Sequence, residues 1–169
     1  MKAAALINDQ KATAIIEHIT YDVLDEHYGM DVFTDPTIKG KLGVNAMKAK
    51  KHLYDHIVYD SSNERDFATD LDTNVDVAVY VKLPDGFYIS TPVGHYNPDW
   101  AIAFYEGKVK HIYFVAETKG YSDDEVTDYR KTEEVKIECA KRHFATISSS
   151  TVTYDVVKDY KGLMDIVTK

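Results

Sequence analysis

Three residues of this 169-residue chain have the types and spacing for hydrolytic chemistry on a phosphate ester: Asp99, Glu117 and Lys119. Asp99 opens the apolar run DWAIAFYE (99–106), and Glu117 stands near the end of VKHIYFVAET (109–118). Only Gly107 and Lys108 separate the two runs, so they read as a hairpin whose antiparallel partners have numbers summing to about 215 or 216. Asp99 then lies opposite Ala116 or Glu117, and two carboxylates meet at one end of a sheet. Glu117 and Lys119 are two apart in a strand, so they project to one face about 6 to 7 Å apart along it, and the three groups converge. Paired carboxylates are hard oxygen ligands suited to Mg²⁺, which keeps several of its waters. An ion there would acidify a water, align it with a phosphodiester and neutralise the leaving oxygen, and an adjacent lysine would hold the nucleophile and stabilise developing charge. For a bare D…ExK pattern, a structural ion pair is the plainer reading.

The elements that must position these groups are readable around them. Trp100, Ile102 and Phe104 alternate with Ala101 and Ala103, and Ile112 and Phe114 with Tyr113 and Val115, so both faces of the hairpin are apolar and its strands should be central. Upstream, Ser61 and Glu64 form an S-x-x-E capping box opening a helix through NERDFATDLD. VDVAVYVKL (75–83), the turn PDG (84–86) and FYIST (87–91) predict a first hairpin. After the acidic loop YSDDEVTDYR (121–130) come a helix, TEEVKIECAKRHFATI (132–147), a strand, VTYDVVK (152–158), and a short helix, YKGLMDIV (160–167). Helix, four strands, helix, strand, helix is an α/β order with a mixed sheet, because a strand returning through a helix can run parallel to its partner.

These elements form a compact unit over 59–169, preceded by an N-terminal extension over 1–58. In the extension, KATAIIEHI (11–19) reads as helix, ITYDVL (19–24) as strand and NAMKAKKHLYDHIV (45–58) as amphipathic helix, with a Pro and Gly seam at TDPTIKGKLG (34–43). His52 and His56 would share a helical face at i, i+4. With no Glu beside the first and no third ligand, solvated or packed histidines are a better reading than a zinc site.

Composition bounds the rest. With 44% hydrophobic and 12% aromatic residues the chain can build a core, which excludes intrinsic disorder. A single cysteine, Cys139, excludes an intramolecular disulfide and a four-cysteine zinc site, and fits a reducing cytoplasm. The AAALI run near the start is too short for a signal-peptide core, and no run approaches the ~18 apolar residues of a membrane span. A net charge of −8 argues against broad nonspecific nucleic-acid binding but not against a local contact. Lys39, Lys41, Lys48, Lys50 and Lys51 are the densest basic stretch, read either as a phosphate contact or as a solvated face.

Pro98-Asp99 followed by Glu117-Thr118-Lys119 resembles the PD…(D/E)xK motif of nucleases. The run YVKLPDGFYISTPVGHYNPDWAIAFYEGKVKHIYFVAETKG (80–120), with KIECAKRHFATIS after it and IIEHITYD and GKLGVNAMKAKKHLYDHIVYDSS before it, resembles the C-terminal endonuclease domain of type III restriction enzyme Res subunits over nearly the whole chain. The resemblance implies an α/β, restriction-endonuclease-like PD-(D/E)XK core over 59–169, a mixed central sheet flanked by helices. It implies that Asp99 and Glu117 ligate Mg²⁺, with Mn²⁺ as a substitute, alongside the Thr118 backbone carbonyl, and that Lys119 serves the attacking water. Glu64 matches the family's acidic residue on the helix before the sheet, although N3 of a capping box favours Glu in any case. Lys136 on the following helix and His95 and Tyr96 before the motif are further candidates, for contact with DNA. A solvated lysine, a turn histidine and a packed tyrosine are their plainer readings.

The partners implied are double-stranded DNA and, in a full complex, a methyltransferase (Mod) subunit, with no membrane. ATP would enter only through a helicase part that these residues lack. The Gly-Lys pairs Gly40-Lys41 and Gly107-Lys108 are followed by Leu42 and Val109, not by the Ser or Thr of a phosphate-binding loop. An isolated domain or a fragment is therefore expected. With Arg65, Arg130 and Arg142 the only arginines, no recognition helix for a DNA sequence is apparent. Two other readings stand beside this one: a nuclease-like module that docks DNA or a protein without cutting, and a stand-alone small nuclease whose extension supplies binding. The complete Asp99, Glu117 and Lys119 set argues against the first.

Overall fold

The computed structural model describes residues 19–22, 29–34, 40–107, 109, 113–118, 128–147 and 152–169. Lys119, Lys39, residues 121–127 of the loop expected over 121–130 and residues 11–18 of the helix expected over 11–19 lie outside them, and residues 128–130 of that loop are helical. Among the described residues, a 3-10 turn at Met30–Phe33 precedes β1 (Ala46–Lys48), β2 (His56–Val58), α1 (Ser62–Thr73), β3 (Val77–Lys82), β4 (Ile89–Thr91), β5 (Gly94–Tyr96), β6 (Trp100–Phe104), β7 (Tyr113–Thr118), α2 (Asp128–Ile147), β8 (Val152–Val157) and α3 (Tyr160–Val167). The central sheet has the order β3-β6-β7-β8, antiparallel up to β7 and parallel between β7 and β8. That is the mixed α/β sheet expected, with the long 100–118 hairpin at its centre and helices on both faces.

The alternation of β6 explains the layering. Trp100, Ile102 and Phe104 are buried with Phe114 of β7 against Phe67, Ala68 and Leu71 of α1 and Leu163 and Val167 of α3. On the other face, Ile137, Ala140 and Phe144 of α2 close over Tyr154, Val115 and Val156 and over Ile89 and Tyr96 of the β4–β5 hairpin. Ala101 and Ala103 are only half-buried, because they line an open apolar groove of ≈ 200 Å³ with Val79, Val81 and Tyr113. Among the described residues no helix is long and apolar enough to cross a membrane.

Three sequence expectations are corrected. The segment 45–58 is not a helix: β1 and β2 form an antiparallel ladder, Ala46 opposite Val58, Met47 opposite Ile57 and Lys48 opposite His56. The reason is the open edge of β3. Tyr80 N–H donates to the Lys51 carbonyl at 3.0 Å and Leu53 N–H to the Tyr80 carbonyl at 2.9 Å, so the segment satisfies backbone groups that a helix would have left unpaired. Ala49 and Ile57 of this segment enter the main core. The first hairpin is also different: β3 pairs with β6, and β4 pairs with β5 through Thr91 opposite Gly94. Phe87 N–H closes a turn onto the Pro84 carbonyl, and Asn97 Nδ2 ties down the Asp85 and Phe87 carbonyls, so the chain leaves the sheet where a hairpin was expected to fold back. Finally, residues 19–22 of the expected strand 19–24 carry no regular structure.

Candidate active site

The hairpin register decides which carboxylates meet. Trp100 pairs with Ala116, Ala101 with Val115 and Ile102 with Phe114, so the next rung outward sets Asp99 opposite Glu117. Asp99 sits in a bend just before β6, anchored by Leu83 N–H donating to its carbonyl at 2.8 Å. Its Oδ2 accepts both the Thr118 N–H and the Thr118 hydroxyl, each at 2.7 Å, and that hydroxyl accepts in turn from Trp100 Nε1 at 3.2 Å. Thr118, expected to lend its carbonyl to a metal, thus also orients Asp99.

Glu117 is 3% exposed, on the face covered by α2. Its Oε2 accepts from Tyr96 Oη at 2.7 Å, and Tyr96 Oη lies 2.6 Å from Tyr154 Oη. Burial, then the Glu117 charge and Tyr154, pushes the Tyr96 phenol far above the ordinary tyrosine range. Burial also raises Tyr154; its bond to Tyr96 opposes this, and the charges of Glu117, Asp99 and Asp155 add to it. Both carboxylates therefore act on the Tyr154 phenol. Tyr96, a candidate DNA contact whose plainer reading is a packed tyrosine, is packed: it is 1% exposed and is a partner of Glu117, shielded from any ligand on the surface. Tyr154 was missed. Its strand was legible, but the parallel register that sets Val115 beside Tyr154 and Glu117 beside Val156 was not.

The remaining candidates scatter. Glu64 accepts from Asp60 N–H at 2.8 Å and from Lys82 Nζ at 2.7 Å, while its own N–H donates to Ser61 Oγ at 3.2 Å. It is a capping-box residue in an ion pair, and Lys82 lies opposite Trp100, one rung from Asp99. Lys82 also contacts Asp60 at 2.6 Å, and these bonds to Asp60 and Glu64 outweigh its burial and raise its pKa. Lys136 is half-buried on α2, 4.0 Å from Glu133 Oε2. His95 is exposed on β5 and stacks on Tyr88 at 3.8 Å. Lys119 lies outside the described residues.

His52 and His56 share no face. His56 is exposed, whereas His52 Nε2 accepts the Lys82 N–H at 3.1 Å and its ring packs edge-on to Tyr80. Among the described residues no three His, Cys, Asp or Glu side chains gather as a ligand cluster. What Asp99 and Glu117 offer is two hard carboxylates on one rung beside a backbone carbonyl. That donor set fits Mg²⁺, a cation that takes few protein ligands and retains waters.

Comparison with protein-family models matches residues 50–160, two thirds of the chain, to the family described as an endonuclease domain. No curated protein and no solved structure matches the chain.

Proposed function

Because this chain belongs to the endonuclease-domain family and has its restriction-endonuclease-like α/β fold, we propose that it is the cleavage module of a type III restriction Res subunit, hydrolysing phosphodiester bonds of double-stranded DNA with Mg²⁺. The observation that carries this reading is the Asp99 and Glu117 rung at the end of the central hairpin, each carboxylate engaged by donors from its neighbours.

Asp99, Glu117 and the Thr118 carbonyl would hold the cation. When bound, that ion lowers the pKa of a water and neutralises charge on the leaving oxygen. The protein's own residues do the rest. Thr118, donating through amide and hydroxyl, keeps the Asp99 carboxylate from rotating, so the site meets the DNA in a fixed geometry. Lys119, in the motif's lysine position, orients the attacking water and stabilises charge developing on the phosphate. Glu64 and Lys82 brace the neighbouring end of β3 through their ion pair. ATP-driven delivery and pairing with a methyltransferase subunit belong to other parts of such an enzyme.

The test is nicking of supercoiled plasmid DNA. The chain is expected to nick with Mg²⁺ or Mn²⁺ and not with EDTA, and Asp99→Asn and Lys119→Ala are expected to lose at least about 100-fold in rate while remaining folded. Metal-independent nicking, or nicking that survives Asp99→Asn, overturns the reading.

A further inference from the structure

Outside the D…ExK motif, the structure supplies Glu117 with a partner that no motif residue accounts for. Tyr96 comes from β5 and Tyr154 from β8, each buried, and their rings meet edge to face at 6.4 Å and 88°. A phenol has one proton. Tyr96 Oη donates its proton to Glu117 Oε2, so the 2.6 Å contact with Tyr154 is filled by the Tyr154 proton. The hydrogen bonds thus run one way, from Tyr154 to Tyr96 to Glu117. Both rings are fixed by packing as well: Phe144 of α2 stacks on Tyr154 at 5.0 Å and 8°, and Tyr96 lies in the same cluster as Ile137 and Ala140.

We propose that Tyr154 and Tyr96 form a one-directional hydrogen-bond relay that positions Glu117 as a divalent-metal ligand, Tyr96 as the direct positioning residue and Tyr154 as the residue that orders it. The proposal rests on the nuclease reading and deepens it. A carboxylate gripped by a rigid donor spends less rotational freedom when a cation arrives, and outer partners of metal ligands raise affinity for that reason. Tyr154 acts at one remove. By donating to Tyr96 it leaves the Tyr96 proton with Glu117 as its acceptor, and the shared polarisation strengthens the second bond.

The experiment is calorimetric titration of the whole chain with Mn²⁺, together with the tyrosine ultraviolet difference spectrum on adding Mg²⁺. Wild type is expected to bind Mn²⁺ and to shift its tyrosine absorbance. Tyr96→Phe should weaken Mn²⁺ binding about 10- to 100-fold and remove the spectral shift. Tyr154→Phe keeps the direct bond and should weaken binding by a smaller factor with a reduced shift. Circular dichroism confirms that each variant is folded, and if Tyr96→Phe is not, Tyr154→Phe carries the comparison alone. Mn²⁺ affinity and spectrum unchanged in a folded variant overturn the relay and leave the nuclease reading to the plasmid assay. A wild-type chain that binds no Mn²⁺ overturns the relay and metal-dependent cleavage together.

Discussion

Thr118 is the residue on which Asp99 depends, through two 2.7 Å bonds, and the Trp100 indole depends on it as well. Thr118→Val keeps the volume but strands the buried Trp100 N–H and removes one donor from Asp99. It is expected to cost about 1–3 kcal/mol in urea denaturation and to weaken Mn²⁺ binding. Histidines set an acid limit. Burial holds both His52 and His143 below the ordinary value of 6.5, so the unfolded chain takes up protons before the fold does. Their contribution is complete above about pH 6.5 and is lost as pH falls through their lower folded values. The denaturation midpoint should therefore drop between pH 7.5 and 5.5, and less so in His52→Gln, whose amide oxygen can still accept the Lys82 N–H. At this scale the sequence was informative for the motif pair, since hairpin register is arithmetic once the turn is placed. It could not reveal Tyr96 and Tyr154 as partners, because a tyrosine in a strand has the same signature whether its hydroxyl meets water or a carboxylate.

Elements were legible where local chemistry decides and obscure where a distant partner does. The Ser61 cap is present as expected, with the Glu64 carboxylate reaching one residue further back to the Asp60 N–H, and Asp159 caps α3 by accepting from Gly162 N–H at 2.8 Å. Asp159→Ala should cost about 1 kcal/mol. Leu163→Ala, which empties a fully buried position between α3 and the sheet, should cost about 2–5 kcal/mol, and thermal melts of the two variants would rank them. By contrast, the apolar spacing in 45–58 suits a helix, yet the segment becomes β1 and β2 because Lys51 and Leu53 meet the edge of β3 and because Asp72 Oδ1 accepts the N–H groups of Lys50 and Lys51 at 2.8 Å. Those partners lie some twenty or more residues away, beyond any window of periodicity. The strand β3 was likewise read correctly and paired wrongly: β6 offers it three large buried side chains, whereas β4 is three residues long.

Across the whole molecule, charge and topology set the terms for DNA. With a net charge of −8 the domain should make few phosphate contacts, each adding about −0.9 to the slope of log affinity against log salt, so a shallow slope and weak binding are expected from fluorescence anisotropy on duplex DNA. Lys50 and Lys51 are tied through their backbones to Asp72 near the end of α1, whereas Glu64 and Lys82 stand by its start. At 1.5 Å per residue that separates them by about 12 Å along the helix, so Lys48→Gln with Lys50→Gln should leave both the slope and the nicking rate unchanged. Weaker binding with a flatter salt slope in that double variant would put the basic stretch on the DNA path. The parallel pairing of β7 with β8 bears on how the chain is made. Asp99, Tyr96 and Glu117 are all translated before β7 ends at Thr118, but Tyr154 and the strand that flanks Glu117 follow only from Val152 onward. On the ribosome, the two acidic groups thus emerge with an open strand edge beside them, and the centre cannot be finished until α2 has crossed over and β8 has docked. A nascent chain stalled before that point carries the acidic pair without the strand that completes its surroundings.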